Sequence, residues 1–364
     1  MARTETVPGG APVYVFSVGQ LGDSLVALPA VHAIKEAFPE RPLILVGDIV
    51  PGEQYLPSWE VFRLSGVFSK ALYYTPMNRS KFACLTELFS ISREMRRLGG
   101  APLFYLVNDG ASSSMVRRHR FFFEAICGTE VVGAKQAPDP SVISDESGHL
   151  IPKKPQHIRL FEIVQGHVNH PLTFRTEGLI RVADSAVRSV EKYFSNLSQT
   201  EFVAFGPWSK MPCKRWPLER YAQVGKFLIR EKGMFPVILG SANERPIGET
   251  LLKEWGGYGL NLCGISLSES SEALRRCTLY VGNDTGTMHL AATVGVKCVA
   301  IFSSRDAPGR WNPIGPGHAI LRHWVPCEGC MLETCRYDTV RCLDGIPVER
   351  VIERARAVLE RIKP

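Results

Sequence analysis

Residues 279–302 read LYVGNDTGTMHLAATVGVKCVAIF, in which an apolar strand, a polar loop, a helix of small residues and a second apolar strand follow one another. The first strand ends at Gly282, and the helix begins near Thr287. Strands that alternate with helices pair in parallel, because the connecting helix returns the chain along a face of the sheet. This stretch therefore predicts an α/β protein with helices on both faces of a parallel sheet.

The same alternation runs through both halves of the 364-residue chain. Apolar strands in the first half are VYVFSV, LILVG, ALYY and LFYLV, and a fresh series starts at EFVAFG. A chain of this length is longer than a single hydrophobic core usually supports. We therefore predict two Rossmann-like, doubly wound domains with a cleft between them. The predicted domains are residues 1–180 and 181–345, and an amphipathic helix over 346–364 closes the chain.

The composition is that of an ordinary globular protein, with 45% hydrophobic and 22% charged residues. No apolar run reaches the roughly 18–20 residues that a membrane span needs. The first residues do not form a basic and then apolar signal segment, so we predict a cytoplasmic protein. The formal net charge of +7 suits acidic partners.

Short arginine clusters interrupt an otherwise even spread of basic residues. They consist of Arg93, Arg96 and Arg97, and of Arg117, Arg118 and Arg120. Most clusters of this kind are solvated helix faces, and the alternative is contact with a phosphorylated glycolipid, an anionic membrane surface or a nucleotide phosphate. Neither arginine cluster has the length of a basic tail or the pattern of a DNA-reading helix, which argues against a nucleic-acid partner.

The loop within residues 279–302 predicts an anion site. Free backbone N–H groups at the helix start, with the hydroxyls of Thr285 and Thr287, can bind a phosphate. Asp284 would repel a diphosphate, so we expect its carboxylate to accept hydrogen bonds from sugar hydroxyls. His289 either donates to the phosphate or is hydrogen-bonded to a neighbouring loop. The simpler alternative for the turn is an N-cap followed by small residues that pack closely.

A second loop, GPWSKMPCKRWP over residues 206–217, follows the strand FVAFG directly. Lys214 supplies a point charge and Arg215 a planar fork, and both suit a diphosphate. The alternative is a surface loop with Trp216 packed under the next helix. No D-x-D sequence occurs in the chain, so we expect these cations and the helix start, rather than a metal ion, to neutralise a leaving diphosphate.

The third loop, SVGQLGDSL over residues 17–25, joins the first strand to the first helix. Gly19 and Gly22 form G-x-x-G, whereas a dinucleotide-binding dehydrogenase would carry G-x-G-x-x-G. Asp23 lies at the helix N-terminus, where it either caps the helix or acts as a general base on an acceptor hydroxyl.

Ten cysteines in a cytosolic chain favour thiols or metal ligands over a disulfide framework. Four of them, Cys327, Cys330, Cys335 and Cys342, have the spacing C-x2-C-x4-C-x6-C. This spacing suits a structural Zn or Fe site, and two disulfides or free thiols are the alternatives. The other six cysteines are scattered along the chain: Cys84, Cys127, Cys213, Cys263, Cys277 and Cys298.

Three motifs, in this order, resemble those of the ADP-heptose–lipopolysaccharide heptosyltransferases, glycosyltransferase family 9. They are GDSLVALPA (22–30), KRWP (214–217) and GNDTGTMHLAA (282–292). The resemblance covers most of the chain, and the cysteine cluster looks like the one that some members carry. It implies a GT-B fold with the acceptor on the N-terminal domain, the nucleotide sugar on the C-terminal domain, and a closing helix that packs back toward the N-terminal domain.

The resemblance also implies inverting transfer of a sugar, heptose from ADP-heptose, without a metal cofactor in the reaction. The acceptor would be a hydroxyl of lipopolysaccharide, another glycolipid or polysaccharide, or a protein, reached in the cytoplasm or at the cytoplasmic face of the inner membrane. By motif position Asp23 would be the catalytic base, with Gly19 and Gly22 in the acceptor-side loop. The expected donor-binding residues are Lys214, Arg215, Glu244, Asp284, Thr285, Gly286, Thr287 and His289.

Two other functions fit the same architecture. A nucleotide-sugar epimerase of this fold would release sugar from the donor alone. A non-catalytic protein would bind nucleotide sugar and dock a partner through the cysteine cluster.

Overall fold

The computed structural model of the protein describes residues 10–50, 56–99, 102–134 and 144–362. Contacts divide the chain into two compact units, Met1–Ser141 with Gln156–Arg175, and Val142–Pro155 with Thr176–Pro364. The sequence predicted a single boundary at residue 180, whereas the second unit also takes in a short earlier segment. Residues 1–9, on which the expectation about a signal segment depends, lie outside the described residues.

The first unit is built on a five-stranded parallel sheet of order β3-β2-β1-β4-β5. Its central strands are near-continuous apolar runs, because helices cover both faces of a parallel sheet; every residue of β1 is fully buried. The elements are β1 (Val13–Phe16), α1 (Leu21–Ala37), β2 (Leu43–Asp48), α2 (Ser58–Ser65), β3 (Phe68–Tyr74), α3 (Lys81–Leu98), β4 (Leu103–Tyr105), α4 (Ser113–Arg120), a π-helix (Phe121–Ile126), β5 (Val131–Val132) and α5 (Gln156–Gln165).

The second unit contains a six-stranded parallel sheet of order β11-β10-β9-β6-β7-β8. Its elements are α6 (Asp184–Phe194), β6 (Phe202–Gly206), α7 (Leu218–Lys232), β7 (Phe235–Ile238), α8 (Arg245–Glu254), β8 (Leu260–Asn261), α9 (Leu267–Arg275), β9 (Leu279–Asn283), α10 (Gly286–Thr293), β10 (Lys297–Ile301), β11 (Ala319–Leu321), α11 (Arg341–Asp344) and α12 (Val348–Ile362). Short 3-10 turns lie at Pro212–Lys214 and Ala242–Glu244. Each apolar run that the sequence marked as a strand is a strand here.

Each sheet has one place where successive strands stop being added on one side and continue on the other. The candidate loop of the first sheet starts there, and so do the two candidate loops of the second sheet. In the first unit the reversal lies between β1 and β4, and in the second between β6 and β9, where Gly206 pairs with Gly282. Parallel strands present their carboxyl ends at one edge, so the loops after neighbouring strands meet at that edge. The topology therefore brings loops that are far apart in sequence into contact.

The closing helix α12 belongs to the second unit. Its buried face, Val351, Ala355, Val358 and Leu359, lies in the core formed by β6, β9, β10 and α7. That α12 also packs back toward the N-terminal domain stays a prediction. Amphipathic spacing indicates that a helix has a buried side but does not say which surface covers it.

Candidate functional site

Asp23 lies on the first turn of α1, at the point where the first sheet reverses. Its Oδ2 accepts a hydrogen bond from the backbone N–H of Gln20 at 2.9 Å, which caps the helix. Its Oδ1 accepts from Asn108 Nδ2 at 2.7 Å, and Asn108 comes from the loop after β4. The carboxylate is therefore held from both sides of the reversal, and the residue is half-buried.

Gly19 is required by this arrangement. Its φ of +124° lies in the region that favours glycine, and a Cβ there would meet Asp23 Oδ2 at 2.7 Å. Gly22 lies in the first turn of α1, next to Asp23. Gly19 thus leaves room for the Asp23 carboxylate.

Lys214 and Asp284 meet at the reversal of the second sheet. Lys214 Nζ lies 2.5 Å from Asp284 Oδ2, and the two side chains are only 15% and 8% exposed. Lys214 follows β6 and Asp284 follows β9, so the parallel sheet brings together residues that lie 70 positions apart. The two predicted loops therefore form one site, with a cation and a carboxylate in direct contact.

The helix α10 begins beside this ion pair. Thr285 is its N-cap and Gly286 its first residue, one position before the predicted start at Thr287. No described side chain caps the helix, since the Thr285 hydroxyl is oriented toward the carbonyl of Asn283 at 3.4 Å. The backbone N–H groups of the first turn are therefore available to an anion, and the loop is only partly buried.

His289 lies under this loop and not on its surface. It is 2% exposed, its Nε2 lies 3.9 Å from Asp284 Oδ1, and its Nδ1 has no hydrogen-bond partner among the residues described. Burial lowers the pKa of His289 to about 4, although Asp284 raises it in part. The imidazole is therefore neutral at physiological pH and can serve as a dipolar neighbour of Asp284 but not as a cation.

Arg215 and Glu244 flank the site from the loops after β6 and β7. The Arg215 guanidinium stacks 3.8 Å from the centre of the Trp208 ring, and its Nε donates to the Ser209 carbonyl at 2.8 Å. Glu244 Oε2 accepts from the backbone of Ser241 at 2.9 Å. Burial raises the pKa of the Glu244 carboxyl, and the charge of Arg215 lowers it in part, so the two groups are electrostatic neighbours.

Two residues of β9 support the site, and neither was among the predicted site residues. Asn283, predicted to lie in the loop, is the last residue of β9 and is fully buried. Its Oδ1 accepts from the backbone N–H of Trp216 at 3.1 Å and from the hydroxyl of Tyr221 at 2.9 Å, which fixes the chain beside Lys214.

The Tyr280 ring fills a notch below the ends of β6 and β9. A Cβ at Gly206 or Gly282 would collide with its hydroxyl, so both strands carry glycine at this level. The hydroxyl is buried near Thr285 and makes no well-formed hydrogen bond within the described ranges. The signal that could have found it is the pair of glycines, Gly206 and Gly282, that lie opposite each other on two adjacent strands.

A fifth cysteine, Cys213, lies beside the four clustered cysteines. A small cavity of about 20 Å³ is lined by Cys213 together with all four clustered residues, Cys327, Cys330, Cys335 and Cys342. Cys213 Sγ donates to the carbonyl of Leu332 at 2.9 Å. All ten cysteines are unbridged, and across residues 10–50, 56–99, 102–134 and 144–362 no three or more Cys, His, Asp or Glu side chains are gathered closely enough to hold a metal ion.

Comparisons with known proteins agree on one family. The family model of "Glycosyltransferase family 9 (heptosyltransferase)" matches residues 151–341. Lipooligosaccharide heptosyltransferase 2 of Campylobacter jejuni (serotype O:2) is 25% identical over 353 residues, which is 93% of this chain and 96% of that protein. Lipooligosaccharide heptosyltransferase 2 of Haemophilus influenzae is 31% identical over 142 residues, 37% of this chain and 40% of that protein.

A solved structure shares the fold. ADP-heptose LPS heptosyltransferase II of Escherichia coli superposes with a TM-score of 0.66 at 19% identity, covering 97% of this chain and all of that chain. At this identity the likeness shows the fold alone. The predicted GT-B class, with two Rossmann-like doubly wound domains, is confirmed.

Proposed function

The chain belongs to glycosyltransferase family 9, the heptosyltransferase family, and from this premise we propose that it transfers heptose from ADP-heptose to a hydroxyl of a lipopolysaccharide acceptor. Membership makes it a glycosyltransferase. The observation that carries the proposal is the Lys214–Asp284 ion pair beside the uncapped start of α10. A nucleotide sugar needs cations and N–H donors for its diphosphate, and acceptors for its sugar hydroxyls.

The donor would bind across the loops after β6, β7 and β9. The diphosphate would lie on Lys214 and on the N–H groups of Thr285, Gly286 and Thr287, with Arg215 as a second cation. Asp284 would accept hydrogen bonds from the sugar, with neutral His289 behind it, and Glu244 would bind the ribose. The absence of D-x-D from the sequence supports a transfer that needs no metal ion, because these groups can carry the leaving charge.

Asp23 is our candidate for the catalytic base, and Gly19 and Gly22 belong to its loop. Inverting transfer requires that the acceptor hydroxyl lose its proton as it attacks the sugar from the face opposite the leaving diphosphate. A half-buried carboxylate, positioned by Gln20 and Asn108 at the reversal of a parallel sheet, suits that role.

We expect purified protein to release ADP only when ADP-heptose and a heptose-deficient lipopolysaccharide acceptor are both present. The anomeric configuration of the transferred heptose, read by NMR, should be inverted relative to the donor, and added divalent cations should leave the rate unchanged. Consumption of donor alone, with release of free sugar, would instead identify an epimerase. Donor binding without turnover on any acceptor would favour the non-catalytic, partner-docking function.

We further propose that the cysteine cavity takes a structural Zn or Fe ion. Thiolates are ligands that both metals accept, and a cavity of about 20 Å³ has room for about one ion or water. In the described residues the thiols are not yet arranged around a point, so binding would draw Cys327, Cys330, Cys335 and Cys342 together. Cys213 lines the same cavity, which would tie the ion to the loop of Lys214.

Protein purified under reducing, oxygen-free conditions should contain about one equivalent of Zn or Fe by elemental analysis, as expected for a single tetrahedral site. Cys327→Ser/Cys330→Ser should lose the metal and melt at a lower temperature. Cys277→Ser is the matched control, since Cys277 is a buried cysteine of the same unit outside the cavity. Wild-type protein without metal, or a double variant that keeps its metal, would contradict the metal site. The alternative that these cysteines are free thiols would then stand.

A lipid-anchored acceptor would be located at a membrane, which bears on where in the cell the protein acts. Among the described residues, no helix is both long and apolar enough to cross a membrane. We propose that the protein acts in the cytoplasm and binds peripherally at the cytoplasmic face of the inner membrane, where a lipid-anchored acceptor would be reached.

A further inference from the structure

The helix α3 exposes an apolar stripe. Phe82, Leu85 and Phe89 are 81%, 59% and 70% exposed, and their spacing of three and four residues places them on one face. The opposite face buries Cys84, Ile91 and Met95 in the core of the first unit. A single exposed apolar residue is ordinary, but a row of large ones on one helix face is typical of an interaction surface.

Neighbouring segments extend the stripe. Met77, in the loop before α3, is 53% exposed, and Phe121, in the π-helix, is 65% exposed. Arg96 at the end of α3 donates to the carbonyl of Ile126 at 2.7 Å, so the π-helix lies alongside α3. Both elements pack on the same face of the sheet. We call the surface formed by Met77, Phe82, Leu85, Phe89, Phe121 and Ile126 the α3 face.

The segments that form the α3 face are rich in positive charge. Between residues 77 and 126 the sequence has eight Lys and Arg against four Asp and Glu. Three of those acids are engaged locally: Glu87 accepts from the backbone of Thr75, Glu94 binds Lys70 and Arg97, and Glu124 binds Arg120. Lys81, Arg93, Arg117 and Arg118 of these segments are exposed, and we take them as the cationic rim of the α3 face.

The α3 face begins at the edge of the sheet that carries Asp23. All five strands of the first unit run parallel, so their carboxyl ends share one edge. Asp23 follows β1 there, and Met77 and Phe82 follow β3. An apolar surface that starts at the sheet edge carrying Asp23 would face the lipid bilayer in which an amphiphilic acceptor is anchored.

We propose that the α3 face binds the surface of an anionic phospholipid bilayer. Its aromatic and aliphatic side chains insert at the level of the headgroups, and the surrounding Lys and Arg bind lipid phosphates. This pairing of apolar side chains with a cationic rim argues for a bilayer, because a second copy of the same face would bring like charges together. The inference rests on the proposed function only in its choice of a lipid-anchored acceptor.

The test is co-sedimentation of the full chain with vesicles of phosphatidylglycerol and phosphatidylethanolamine, compared with phosphatidylcholine vesicles. Wild type should bind the anionic vesicles, and less strongly as salt is raised. Phe82→Gln/Leu85→Gln/Phe89→Gln should weaken binding by about tenfold or more, because these side chains supply the inserted area. The control, Ile151→Gln/Tyr193→Gln, removes exposed apolar side chains of the second unit and should bind like wild type.

Circular dichroism melts of the triple variant establish that it is folded, and glutamine suits an exposed helix. Its heptosyl transfer to a delipidated, soluble acceptor should equal that of wild type. Wild type that ignores anionic vesicles, or a triple variant that binds them fully, would overturn the inference. A wild-type dimer that the triple variant splits would assign the face to a second copy and overturn it too. Vesicle binding without heptosyl transfer would contradict the proposed function but would still support the binding of the α3 face to a bilayer.

Discussion

Asp23→Asn should lower the turnover of heptosyl transfer by ~10²–10⁴-fold, the usual contribution of a general base, while the affinity for the nucleotide sugar changes little. The carboxylate is proposed to take the proton of the acceptor hydroxyl, and the amide of asparagine cannot do so. The donor would bind on the other unit, on residues that the substitution does not touch. Single-turnover rates and donor binding by calorimetry measure the two quantities separately.

Asparagine is the informative substitution because Asp23 also caps α1. The amide oxygen can still accept from Gln20, whereas alanine would lose the cap and about 1 kcal/mol of stability with it. Asp184→Asn, which changes an acid in the first turn of α6, is the matched control for an effect on a helix start and should keep full activity. Near-normal turnover in Asp23→Asn would remove Asp23 from the mechanism.

The positions of the candidate residues could be predicted because parallel sheets constrain where loops meet. Lys214 and Asp284 each follow an apolar strand, and the reversal of strand order puts those strand ends side by side. The same rule placed Asp23 at a reversal, although its partner Asn108 follows a different strand and carried no motif. Local sequence thus identifies which loops matter, and the topology decides which of them touch.

What could not be predicted depends on packing between distant segments. Cys213 was grouped with the scattered cysteines, yet it bonds to a carbonyl 119 positions away and lines the cavity of the clustered four. The apolar face of α12 was evident, but its choice of the second unit as partner was not. His289 stood in a phosphate-site motif, and only its burial, which lowers its pKa to about 4, shows that it is neutral.

Lys214→Met should raise the dissociation constant of the nucleotide sugar by about 10–100-fold, and lower turnover as well, because a hydrogen bond to a charged group is worth about 1.5–3 kcal/mol. The loss has two sources. The diphosphate loses a cation, and Asp284 becomes an unpaired, buried carboxylate beside it. Calorimetric titration with ADP-heptose measures the affinity, and steady-state kinetics measure the turnover.

The double variant Lys214→Met/Asp284→Asn separates the two sources. If Lys214 served only to neutralise Asp284, the double variant would bind the diphosphate with wild-type affinity. ADP, which carries the diphosphate but no sugar, is the ligand that measures this affinity. We expect ADP affinity to recover only in part, because the phosphate contact of Lys214 is still missing. Lys210→Met is the matched control, since Lys210 is an exposed lysine of the same loop, and it should bind ADP normally. Unchanged ADP and ADP-heptose affinity in Lys214→Met would refute a phosphate role for Lys214 and would leave the start of α10 and Arg215 to bind the diphosphate.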